Sequence, residues 1–216
     1  MDNLVFLEPN KIGAEPFTTS KVISEFSGVS HKYIKKQVTA HAQDFKKLGL
    51  LDAYATESTG GRPEEIYRLN EPQATFLMTL LKNTKVVVEF KRRLVEQFYA
   101  MRTELQRRQI AKLDRKPIRE ALTDGIKALP ETPHKLMWYK HYTDLIYRTV
   151  IGKTAKQLRK VRDAPPKATV SDYMTADEIK AVTRMENRVA VMLEMGMDYQ
   201  QVKAALGNLR IAARAG

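Results

Sequence analysis

From residue 85 to about 112 the apolar side chains Val87, Phe90, Leu94, Phe98, Met101 and Leu105 recur at steps of three or four. That interval keeps one stripe on one face of an α-helix, because 3.6 residues complete a turn. At ~1.5 Å per residue such a helix spans roughly 40 Å, longer than a small domain needs for its own core. Any fold of this chain must therefore accommodate one long rod. Its preferred reading is a helix that faces a core first and continues outward as a connector. Val87, Leu94 and Met101 also repeat every seven, the spacing of a helix–helix seam, which keeps self-association open as the second reading.

The residues before the rod have their own order. Residues 18–26 read as a short helix, with Thr18, Thr19 and Ser20 as caps and Val22, Ile23 and Phe26 on one face. Gly28 makes a turn and Ser30 caps a second helix, in which Ile34, Val38 and Phe45 keep a period near 3.6. Lys32 and Lys36 then lie opposite that stripe, with Lys35 beside it, and His31 lies on its flank. Two short strands follow, about 51–57 and 64–69, around "STGGRP". Gly60 and Gly61 permit the positive φ of a tight turn, and Pro63 stops a helix from crossing it. Helix, turn, basic helix and hairpin is the order of a winged helix-turn-helix.

After "NEP" a helix is expected through about Leu81, then the long helix over 85–112. "KLDRKP" (112–117) reads as a boundary, dividing the chain into domains 1–112 and 113–216. Beyond it the pattern is helical throughout: about 117–128, 134–151, 154–162, 176–195 and 199–209. Thr175 with Glu178 forms a capping box for the fourth of these, and Gly196 is placed to end it. The expected fold is mainly α with a small β-hairpin: a winged helix-turn-helix-like N-terminal domain, a long connecting helix and an all-α C-terminal domain.

Charge then narrows the function. The chain carries +12, with 20 Lys+Arg against 12 Asp+Glu in residues 111–216 and 17 against 13 in residues 1–110. Such an excess favours polyanions through counterion release. Cysteine is absent, which removes disulfides and thiolate metal sites and fits a reducing, cytoplasmic setting. No apolar run approaches the ~18 residues of a membrane span, so no membrane partner is expected. Catalytic constellations are missing as well. "GKT" at 152–154 lacks the glycine five residues earlier that a phosphate loop requires, since position 147 is tyrosine. Neither an enzyme activity nor a metal or cofactor is expected. The aromatic run "MWYKHYTDLIY" (137–147) reads as second-domain core around Trp138, Tyr142 and Leu145 rather than as a stacking platform.

The second helix is the expected DNA contact. Recognition helices present polar and basic side chains opposite their core stripe. Ser30, His31 and Tyr33, near the helix start, are the expected base readers, with Lys32, Lys35 and Lys36 as phosphate anchors. Arg62, at the tip of the wing beside Gly60 and Gly61, is the expected backbone or minor-groove contact.

Two longer stretches, "FTTSKVISEFSGVSHKYIKKQV" and "GGRPEEIYRLNEPQATFLMTLLKNTKVVVEFKRRLVEQFYAMRTEL", resemble the N-terminal domain of the Rha family of phage regulatory proteins. The resemblance covers roughly residues 16–110. Its marks are the "TTS" start, the histidine that heads the second helix (His31), the "Y-x-L" strand and the phrase "FLMTLLKNTKVVVEFKRRLVEQFYAM". The second half resembles the helical C-terminal domain of phage antirepressor-type proteins, through "LIYRTVIGKTAKQLR", "DYMTADEI" and "GMDYQQVKAAL". The resemblance implies a regulator of the lytic–lysogenic choice in a bacterial cytoplasm. It leaves two mechanisms open: transcriptional regulation by binding double-stranded DNA, or antirepression by binding a phage repressor protein. By analogy with other helix-turn-helix proteins, a homodimer is also expected.

Overall fold

The computed structural model describes residues 2–55, 63–131 and 135–215, with side chains through Gly207. They fall into two compact units, Met1–Glu8 with Gly13–Thr103, and Pro9–Ile12 with Glu104–Gly216.

The first unit opens with strand β1 (Phe17–Thr19), followed by helices α1 (Ser20–Ser27), α2 (His31–Ala40) and α3 (Ala42–Lys47). Strands β2 (Asp52–Ala55) and β3 (Glu65–Asn70) come next, then α4 (Glu71–Leu80) and the start of α5 (Lys85–Ala128). The three strands form an antiparallel sheet in the order β1-β3-β2, with Ala55 opposite Glu65 and Thr18 opposite Leu69. The chain is mostly helical, with the winged helix-turn-helix arrangement that residue spacing anticipates. The expected hairpin is present. The third strand was not legible, because three residues carry too little alternation to separate a strand from a helix start.

Thr19 ends β1 and caps α1, its hydroxyl accepting from the Val22 amide at 3.2 Å. Gly28 closes α1 at φ +70°, where a side chain would be strained, and donates to the Ser24 carbonyl. Ile34 and Val38 of α2, Ile23 of α1 and Phe45 of α3 are fully buried together with Leu77, Leu69, Phe90 and Leu94. Each such side chain contributes about 1.5–3 kcal/mol relative to exposure. The stripe Ile34, Val38, Phe45 is real, but the helix carrying it breaks at His41 (φ −111°, ψ 24°) into α2 and α3. No proline or glycine marks that break. On the long helix, Val87 and Leu94 are buried in this core and Met101 packs against it, so the seven-residue repeat is a core face rather than an open seam.

The second unit holds the rest of α5, then α6 (Lys135–Ile151), α7 (Ala155–Val161), a 3₁₀ turn at Val170–Tyr173, α8 (Ala176–Glu194) and α9 (Tyr199–Ala215). Its core joins Leu122, Tyr142, Ile146, Leu158, Ile179, Val182, Val189 and Val202, with Trp138 and Leu145 packed against it. The Thr175–Glu178 capping box forms as expected, and Gly196 takes φ +78° after α8. The helix expected to stop near residue 112 does not: α5 runs through Pro117 to Ala128. Proline removes one backbone hydrogen bond, to the Leu113 carbonyl four residues back. Leu113 and Pro117 both face solvent, where water can satisfy that carbonyl. Beside them Arg115 is anchored inward on Glu186.

Candidate nucleic-acid interface

Burial of Ile34 and Val38 fixes the rotation of α2, and a helix that buries one face must present the other. Lys32, Tyr33 and Lys36 are exposed on it. Lys32 and Lys36 make no ion pair with any described residue. Ser30 is exposed at the N-cap, its hydroxyl accepting from the Tyr33 amide at 3.4 Å. Lys35 is half-buried and leans on the sheet, its Nζ 3.3 Å from Glu65 Oε2.

His31 is placed differently from its neighbours. Its side chain is only 13% exposed. Nε2 lies 2.9 Å from Ser20 Oγ and Nδ1 lies 2.7 Å from Glu64 Oε1. Ser20 is fully buried, and its Oγ also accepts from the Tyr67 amide at 3.0 Å. With Glu64 ionised, the consistent chain is Tyr67 N–H to Ser20, Ser20 O–H to His31 Nε2, and His31 Nδ1–H to Glu64. One imidazole thus ties the first turn of α2 to α1 and to the base of the wing. Both nitrogens that would read a base edge are already engaged. The hydrogen bond from His31, with the charge of Lys21 at 3.6 Å adding to it, holds the Glu64 carboxyl below its ordinary range.

Sequence reasoning missed Ser20 and Glu64 as supports of this helix. They lie 11 and 33 residues from His31, and only the fold brings them together. Gly60, Gly61 and Arg62 lie outside the described residues. Among the described residues no group of three or more His, Cys, Asp or Glu side chains is placed to hold a metal ion. No described helix is long and apolar enough to cross a membrane.

None of the curated proteins matches the chain. A family model does, and it spans β1 to α5 together with the whole His31 arrangement. Residues 18–103 match the family described as phage regulatory protein Rha, so the N-terminal part of the chain is similar to that family.

Proposed function

We propose that the chain is a phage transcriptional regulator that binds double-stranded DNA through α2 and the wing. The observation that carries this reading is the outer face of α2. Two lysines that make no ion pair with a described residue, and an exposed tyrosine, stand on a helix whose inner face is seated in the core. In this proposal Lys32 and Lys36 contact phosphates, and Ser30 and Tyr33 approach base edges. Lys35 reaches a phosphate by exchanging Glu65 for it. His31 acts as a positioning residue that sets the pitch of α2 against the wing. Gly60, Gly61 and Arg62 join the interface on sequence grounds alone.

The test is a gel-shift titration against fragments of the phage genome at ~150 mM salt with excess competitor, since low salt inflates the affinity of any basic protein. A fragment-selective shift is expected. Lys32→Ala with Lys36→Ala should weaken it at least tenfold and lower the slope of log K against log salt by about one per lysine. No selective shift would sink this reading and favour the antirepressor alternative, in which a phage repressor protein is the partner. Pull-down of that repressor, unaffected by the lysine substitutions, would then identify it.

A further inference from the structure

On α8 the side chains of Ile179, Val182, Val189 and Leu193 are buried together with Glu186, which fixes the rotation of the helix. Its outer face presents Lys180, Arg184 and Arg188 at i, i+4 and i+8, and all three are exposed. Consecutive members lie on adjacent turns, about 6 Å apart along the axis, so the stripe runs for about 12 Å.

Local structure does not offset that charge. Like charges at i, i+4 repel one another and disfavour a helix. The usual remedy is an acid three or four residues away, as Glu89 and Glu96 provide for Arg92 on α5. On α8 the acids near the stripe are committed elsewhere. Asp177 pairs with Arg107 at 3.0 Å, Glu178 pairs with Arg162 at 2.6 Å, and Glu186 turns inward to Arg115 and Arg119. Glu194 lies six residues beyond Arg188, out of i, i+4 reach. Lys180, Arg184 and Arg188 make no ion pair with any described residue. The helix dipole does not account for them either, because it favours cations in the last turn and Arg188 lies more than a turn before the end of α8.

The pattern of the face decides what would fit. Cations repeating at every turn suit a polyanion whose charges recur at short intervals, and duplex DNA carries one negative charge per ~1.7 Å of axis. A lipid surface fits less well, because the apolar side of α8 that would insert is seated in the core. A protein fits less well too. Helix α8 has no aromatic residue to anchor one, and its exposed Val191 and Met195 follow the stripe rather than interleave with it.

We propose that the outer face of α8 is a second nucleic-acid surface, on which Lys180, Arg184 and Arg188 contact the phosphate backbone of duplex DNA without reading its sequence. The proposal rests on DNA as the partner but not on α2 as the contact. It gives the second unit a sequence-independent part of the affinity.

The experiment follows the fluorescence anisotropy of a labelled duplex of arbitrary sequence, titrated with the full chain at several salt concentrations. Lys180→Gln combined with Arg184→Gln and Arg188→Gln should weaken binding about tenfold at ~150 mM salt. The same variant should lower the slope of log K against log salt by about three. Its melting temperature should hold or rise, because the repelling charges have left the helix. An unchanged salt slope would overturn the proposal, whatever the stability of the variant. Competition by poly-L-glutamate as strong as by unlabelled duplex would also overturn it, in favour of an acidic protein. In the gel shift the variant should weaken every phage fragment alike and keep their ranking. If the parent shows no fragment selectivity but the α8 variant loses duplex binding, the α2 reading falls and this one stands. If Lys32→Ala with Lys36→Ala weakens a selective shift while the α8 variant keeps the parent's slope, the reverse holds.

Discussion

Ser20, His31 and Glu64 show how much a single side chain can settle. Replacing His31 by Ala leaves the Ser20 hydroxyl buried without its acceptor, a loss of about 1–3 kcal/mol. Urea denaturation should show that loss as a lower midpoint. If His31 were a base reader instead, the substitution would change affinity and leave the midpoint alone. The pH dependence follows from Glu64. Its folded pKa lies below the ordinary value, so its contribution is fully present above that value and is lost as pH falls through the folded one. Stability should therefore fall through the acid range, and Glu64→Gln should remove part of that slope. The part is small, because the side chain is 43% exposed and solvent screens it. That a histidine heads α2 was plain from sequence. That it faces inward was not, because its position on the flank of the stripe allowed either direction.

Among elements, α5 departs furthest from its local signals. Pro117 is a helix breaker by propensity, yet the helix passes through it. Pro117→Ala should restore the bond to the Leu113 carbonyl and stabilise the protein by about 1–3 kcal/mol in calorimetry. What holds the helix there is buried. Glu186 of α8, with no exposure, accepts from Arg115 Nε and Nη2 at 2.7 Å and from Arg119 Nη1 at 3.1 Å. Burial opposes the Arg115 charge, but the paired hydrogen bonds to Glu186 outweigh it and hold its pKa above the ordinary value. Glu186→Gln should cost about 3–5 kcal/mol, because it strands a buried guanidinium. Changing Arg115 and Glu186 together to apolar residues should cost much less. Caps and stripes such as Thr175 with Glu178, or Val182 with Val189, were legible because their partners lie within a turn or two. The Arg115–Glu186 pair was not, since 71 positions separate two residues that look like ordinary surface charges.

For the whole molecule, the +12 charge is unevenly spent. In the basic run after α6, Arg162 donates to Glu178 at 2.6 Å and Arg159 to the Ala168 carbonyl at 2.9 Å, so structure absorbs part of that run. Total charge does not say which lysines are available; on α2, Lys32 and Lys36 are exposed and make no ion pair with a described residue. The aromatic run 137–147 contributes Tyr142 to the core, with Trp138 and Leu145 packed against it, yet Trp138 and Tyr142 also line a cavity. Only the packing of α9, about sixty residues later, creates that cavity.

The segment Pro9–Ile12 belongs to the second unit although the residues on either side of it belong to the first. The Ile12 amide donates to the Asp172 carbonyl at 2.8 Å, and Asn10 accepts from Arg108. A ribosome delivers Ile12 long before Asp172, so this segment waits through most of synthesis for its partner. Bringing the two together also closes a very long loop, whose entropic cost is met only once both ends are anchored. A segment made early is thus among the last to settle. In refolding followed by pulsed hydrogen exchange, protection of the Ile12 amide should lag that of Ile34.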